Sequence, residues 1–342
     1  MITLFPSRLS RAVLCAAAVC LATPAAAQEL NLYTTREPGL VQPFIDAFTK
    51  ETGVKVNSIF VRDGLAERVA AEGTRSPADI LMTVDFGELI LLVDRGLTQP
   101  VQSSTLAQAI PAHLRGDKGD WFALSLRARV LYADKDLGIS AFTYEQLADP
   151  QWKGKVCIRS GQHPYNTALV AAYLARHGEA RTEAWLRGLK ANLARKATGG
   201  DRDVARDIMG GICDIGIANS YYVGLMRSGA GGPDQQKWGA AIKVILPTFE
   251  GGGTQVNVSG ASVARHAPNR AAAVRFLEYL VSDAAQKIYA EANFEYPVKA
   301  GAAVHPIIAA LGTLKVDTLS LAEIARHRAA ASRLIDKVGL DE

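Results

Sequence analysis

The sequence predicts an α/β protein of two lobes, each a mixed sheet flanked by helices, with a cleft between them. Three observations predict it. Strand-like and helix-like runs alternate from residue 29 to residue 96, and such alternation builds a parallel sheet with helices on both faces. After the strand-rich run WFALSLRARVLYAD, Trp121 to Asp134, a second strand–helix series begins with KVCIRS. Strand patterns then resume in IKVILP and QVNVSGASVAR, so the chain leaves one lobe, builds a second and returns. Its 342 residues suit about two domains, and 49% hydrophobic against 21% charged residues is a globular balance.

The elements follow in order. Residues 1–27 read as an export signal. Arg8 and Arg11 form a basic start, Ala12 to Ala22 an apolar run, and Ala25-Ala26-Ala27 a small-residue cleavage site. The apolar run is shorter than the roughly 20 residues that span a bilayer, and Ala17-Ala18-Val19 is a poor lead-in to a lipidated Cys20. The mature protein is expected in the periplasm, not spanning the membrane. Residues 28–125 are the first part of the N-lobe. ELNLYTT, KVNSIF and ADILMT are its strands, alternating with helices at Gly39–Thr52, Gly64–Gly73 and Phe86–Arg95. Residues 126–245 form the C-lobe, with KVCIRS and CDIGIANS as strands and helices after Pro164, from Glu179 to Ala194 and near Asp203–Met209. Residues 246–342 return to the N-lobe with C-terminal helices, including Asn269–Ser282 and Ala284–Ala292. SGAGGPDQQ, Ser228 to Gln236, reads as a surface loop, and Gly251-Gly252-Gly253 as a turn.

Several function classes drop out. Losing the leader lowers the formal net charge of +4 by two, and no basic block stands out, so nothing points to nucleic acid. There is no H-E-x-x-H, G-x-x-x-x-G-K-[ST], G-x-S-x-G or S-x-x-K. The six histidines lack metal-ligand spacing. An exported two-lobed chain without a catalytic motif reads as a binding protein, not an enzyme, and as a monomer. Its ligand is expected at the carboxyl ends of strands. Cys157 and Cys213 remain after cleavage. On neighbouring strands in an oxidising compartment they form a disulfide; otherwise they are two buried thiols.

Tyrosines carry the chemistry that is left. Tyr165 lies eight residues after Cys157, and Tyr221 and Tyr222 lie eight and nine after Cys213, each where a strand passes into a helix. If the two strands are neighbours, three phenols meet at one cleft edge. Ionising a phenol of pKa near 10 at pH 7 costs about 4 kcal/mol. Three phenolates together therefore need a concentrated positive charge, and their hard oxygens suit Fe³⁺. The alternative is a set of ordinary cleft aromatics.

GQHPYN and DIGIANSYYVGL, with NLYTTREPGLVQPFIDAFTKETGVKV, SPADILMTVDFGEL, ALSLRARVLYADKD, WKGKVCIRS and EYPV, resemble the periplasmic ferric-ion-binding proteins of ABC iron importers. The likeness runs over nearly all the mature chain and implies the type II periplasmic binding protein fold. It implies that Tyr165, Tyr221 and Tyr222 supply phenolate ligands to Fe³⁺, and that the ion passes to an inner-membrane ABC permease. Many members carry a histidine in the turn after the first strand, whereas this chain has YTTREPG with Glu37 there. Glu37 is either a carboxylate ligand or a charge at a helix N-terminus. The coordination gap then calls for water or a synergistic anion such as carbonate. Arg36, Arg127 and Arg129 are candidate seats for it, because guanidinium suits a planar oxyanion; the alternative for each is a salt bridge. A second cargo on the same scaffold is a free oxyanion or small organic anion. Among weaker candidates, His163 is read as a plain surface histidine, with an outer partner of Tyr165 as the alternative, Asp85 as the cap of the Phe86 helix, and Tyr33 as core.

Overall fold

The computed structural model describes residues 1–2 and 29–342; all but the first two residues of the expected leader lie outside them. Ten strands are present among the described residues: β1 (Glu29–Thr34), β2 (Lys55–Phe60), β3 (Ile80–Thr83), β4 (Thr98–Gln99), β5 (Phe122–Asp134), β6 (Val156–Cys157), β7 (Ile215–Asn219), β8 (Ile242–Ile245), β9 (Val256–Ala264) and β10 (Tyr296–Pro297). The helices are α1 (Pro38–Thr52), α2 (Leu65–Glu72), α3 (Phe86–Asp94), α4 (Ser104–Ala109), α5 (Pro164–Asn192), α6 (Asp201–Met209), α7 (Tyr221–Arg227), α8 (Pro233–Ala241), α9 (Arg270–Leu280), α10 (Asp283–Asn293), α11 (Pro306–Ala309) and α12 (Leu321–Val338).

Local chemistry explains the element ends. Pro38 opens α1, Gly53 closes it at φ 73°, and Val41, Phe44, Ile45 and Phe48 are its buried face. Asp85 caps α3, its carboxylate accepting from the backbone N–H groups of Gly87 and Glu88. Gly178, at φ 75° and ψ 171°, breaks α5 into the two helices expected on either side of it. Tyr33 is buried in the core. The expected loop Ser228–Gln236 ends early, because Pro233 starts α8.

The strand order is β2-β1-β3-β9-β5-β7-β6, with β4 against β9 and β8 and β10 against β5. The first group holds the parallel β1, β2 and β3 and the antiparallel β9. The second holds the parallel pair β6 and β7. β5 belongs to both. Its residues Phe122 to Ala128 pair with β9, and Arg129 to Ala133 pair with β7. The expected boundary between residues 125 and 126 thus falls inside one continuous strand, buried along all but its final residue. The chain returns through the turn at Glu250–Gly252 and enters β9 at Val256.

Not all of residues 246–342 rejoins the first lobe. α9 and α10 pack against α1, but α12 lies along α5 in the second lobe and also touches α3 in the first. Its partners are distant in sequence, so hydrophobic periodicity alone did not assign them.

Cys157 ends β6, Cys213 stands just before β7, and the two are joined as a disulfide with Cα atoms 5.9 Å apart. Closing a loop of 56 residues removes unfolded-state entropy worth about 4 kcal/mol, and native disulfides typically contribute about 2–5 kcal/mol. The Cys157→Ser, Cys213→Ser double variant should therefore lose about 2–4 kcal/mol in urea unfolding, and the unmodified chain should match it once reduced. Equal midpoints for oxidised and reduced protein would show that the bond contributes nothing.

Candidate metal centre

Two parallel neighbours leave their sheet in the same direction. β6 runs into the Ile158–His163 loop and then α5, with Tyr165 in the first turn. β7 runs through Ser220 into α7, which begins at Tyr221. Their exits place the tyrosines at one edge of the second lobe. The rings of Tyr221 and Tyr222 lie 4.1 Å apart at 33°, an offset pair on one helical turn. The adjacency that would split them across a strand instead aims both toward one centre.

A cleft of about 250 Å³ opens beside them, lined by Tyr165, Tyr221, Arg127 and Leu225, and from the first lobe by Thr35, Glu37 and Val84. Tyr222 borders this cluster and lies 5.6 Å from the Arg202 guanidinium. Burial pushes the Tyr221 phenol well above its ordinary pKa, and charge on Tyr165 or Tyr222 would push it further. Burial, then Tyr165 and Asp201, raise Tyr222 as well. These phenols carry their protons at neutral pH unless a cation displaces them. Among the described residues no group of three or more His, Cys, Asp or Glu side chains could hold a metal ion. Among the described residues, the cleft lining carries the phenols of Tyr165 and Tyr221, the carboxamide of Asn293 and the carboxylates of Glu37 and Glu295, of which Glu295 is paired with Arg36.

The arginines separate. Arg127 faces the cleft, 5.7 Å from the Tyr165 ring. Its guanidinium donates to the Val258 carbonyl at 3.0 Å and to that of Val84, while its Nε is buried without a partner. Burial opposes its charge, but Tyr165, Glu295, Tyr221 and Asp85 outweigh that and raise its pKa.

Arg36 and Arg129 are not free to seat an anion. Arg36 donates to both Glu295 oxygens, at 2.9 and 3.1 Å, and to Ser259. Arg129 is paired with Asp201 at 2.6 Å and also donates to Asn166 and Asn219. Each is about 1% exposed, so each charge is already matched inside the protein. Arg127 and Arg129 sit two apart on β5, yet they serve different lobes because β5 changes partners between them.

Glu37 is at the N-cap of α1 but makes no side-chain capping bond. Its exposed carboxylate stands free at the cleft rim. His163 is an N-cap: its Nδ1 accepts from the Tyr165 N–H at 3.2 Å, and its ring meets the Tyr165 ring edge-on. Burial, then the charge of Arg159, lower its pKa to about 4, which keeps that nitrogen an acceptor. Sequence reasoning missed Arg159, whose guanidinium lies 5.3 Å from the Tyr165 ring, and Glu295, which neutralises Arg36. Arg159 was findable as the cation at the exit of β6. Glu295 lies 259 residues from its partner and left no local signal.

α7 is locked to the first lobe from behind. Phe294 sits at φ 55° after α10, and a Cβ on Gly224 would come within 2.2 Å of its ring. Only a glycine permits that approach one turn after Tyr221.

The sequence matches the bacterial extracellular solute-binding proteins over residues 75–311. Iron uptake protein A1 of Synechocystis sp. is 41% identical over 320 residues, 93% of this chain and 89% of the relative. The structure of a Bordetella ferric binding protein is 65% identical, with a TM-score of 0.89 over 92% of this chain and 100% of that one. A Trichodesmium protein in complex with iron and citrate ligands is 41% identical, with a TM-score of 0.86 over 91% and 99%. These relatives bear the names of binding and uptake proteins, not enzymes. The two-lobed arrangement is the type II periplasmic binding protein fold. The chain belongs to the bacterial extracellular solute-binding protein family.

Proposed function

We propose that this protein captures Fe³⁺ in the periplasm through the phenolates of Tyr165, Tyr221 and Tyr222 and hands it to an inner-membrane ABC permease. The convergence of Tyr165 with the Tyr221–Tyr222 pair beside Arg127, with no metal-holding group of three or more His, Cys, Asp or Glu side chains among the described residues, carries this reading. The names of similar proteins, an iron uptake protein and a ferric binding protein, support it.

Charge balance explains the donor set. Three phenolates cancel a trivalent cation, and each displaced proton costs about 4 kcal/mol at pH 7 or more where burial raises the pKa. Fe³⁺ supplies the concentrated field that reverses this cost. Arg127 then adds positive charge beside the ion, which suits an added anion. Its guanidinium can donate to a carbonate or carboxylate oxygen, and a similar protein has been seen with iron and citrate. Glu37 can add an oxygen from the first lobe as the cleft closes.

Loading with Fe³⁺ should give a coloured protein with a phenolate-to-iron charge-transfer band. Tyr221→Phe and Tyr222→Phe should each weaken Fe³⁺ binding by more than the roughly 10–100-fold typical of an outer partner, read by competition with a chelator. A colourless complex with unaltered affinity in both variants would refute the reading, and tight binding of anions by metal-free protein would favour the oxyanion cargo.

Because the raised phenol pKa values keep their protons on at pH 7, capture releases protons, and acid opposes it. Log affinity should rise with pH by up to about three per unit between pH 6 and 8, after correction for the competing chelator. A flat profile would mean that the phenols do not ionise on binding.

Adding carbonate or citrate should tighten Fe³⁺ binding in the unmodified chain and have little effect in Arg127→Gln. Equal enhancement in both would remove Arg127 from the anion seat.

A further inference from the structure

The loop that delivers Tyr165 is held by residues far from it in sequence. Asp341 accepts from the Ser160 hydroxyl and the Gly161 N–H, both at 2.5 Å, and from the Gln162 N–H at 3.2 Å. The Gln162 carboxamide in turn lies on α12. Its Nε2 donates to the Ser332 carbonyl at 2.9 Å and to Asp336 at 2.7 Å, and its Oε1 accepts from the Ser332 hydroxyl at 2.8 Å. Each of the three residues from 160 to 162 is thus bound from outside its own lobe's sheet.

The same helix reaches the opposite rim. One turn before Ser332, Arg328 donates to Asp85 at 2.6 Å, and its guanidinium lies 5.3 Å from the Phe86 ring. A Cβ on Gly87 would fall 2.1 Å from the Arg328 nitrogen, so the α3 N-terminus is shaped to receive it. α12 therefore holds two of the strand-exit segments around the cleft, the one after β3 and the one before α5.

We infer that Asp341 and Gln162 form a clasp that positions the Tyr165 phenol, with Arg328 referring that position to the first lobe. Neither clasp residue touches the cargo; both act through the backbone of residues 160–162. The inference rests on the ferric reading above. A loop freed from the clasp would carry Tyr165 away from the Tyr221–Tyr222 pair, and a metal–phenolate bond is sensitive to such displacement.

The test uses the full mature chain and Fe³⁺ with a chelator as competitor. Asp341→Ala should weaken Fe³⁺ binding roughly 10–100-fold and shift the charge-transfer band, with little change in the metal-free unfolding midpoint. Lys337→Ala, which removes only the surface pair between α12 and Glu183, should leave affinity and band unaltered. If Asp341→Ala does not fold, Gln162→Ala gives the same two readings. Normal affinity with an unmoved band in the folded clasp variant would overturn the inference. Failure of the unmodified chain to bind Fe³⁺ would instead overturn the ferric reading and the clasp with it.

Discussion

The parallel pairing of β6 with β7 is the constraint on which the rest depends. Parallel neighbours leave a sheet on the same side, so whatever follows each strand is brought to a common edge. Val156 opposite Ile215 and Cys157 opposite Gly216 fix that register, and the Cys157–Cys213 bond fastens it covalently. With the strands held, two separate stretches of chain deliver aromatic hydroxyls to one cleft without any direct bond between the helices that carry them.

Around that edge, charge is divided by lobe and by depth. The deep arginines, Arg36 and Arg129, are each answered by a buried carboxylate. Such pairs add little net stability over apolar packing, but leaving one partner alone would be costly, so they fix geometry. Arg127 differs. Its nearest partners are carbonyls rather than a carboxylate, so its charge is left for the cleft. The field at the tyrosines is therefore set by Arg127, by Arg159 and Arg202 against the rings of Tyr165 and Tyr222, and by whatever enters.

Much of this was legible in the sequence, and the legible part was local. Strand–helix alternation gave the two lobes, and the helices α1 and α3 and the cap at Asp85 fell where the sequence pattern placed them. The tyrosines were visible because each follows a strand end at a fixed distance from a cysteine. What was hidden depended on long-range partners. For Arg36 and Arg129, anion seat and salt bridge were equally open in the sequence, because their partners Glu295 and Asp201 lie far along the chain. The extended loop after Ser228 was misjudged past Pro233, because glycine-rich composition masked a proline suited to the first turn of a helix. The docking of α12 on α5 left no trace in local pattern, since an amphipathic helix does not name the surface it will cover.

The passage of β5 from one sheet into the other has a consequence for how the molecule can move. The backbone ladder is continuous through Ala128 and Arg129, so the halves are not beads on a tether. They share a hydrogen-bonded strand where a flexible linker would otherwise stand. A cleft whose two walls share a strand is organised in advance, and binding in such a cleft loses less entropy than the docking of two loosely joined bodies.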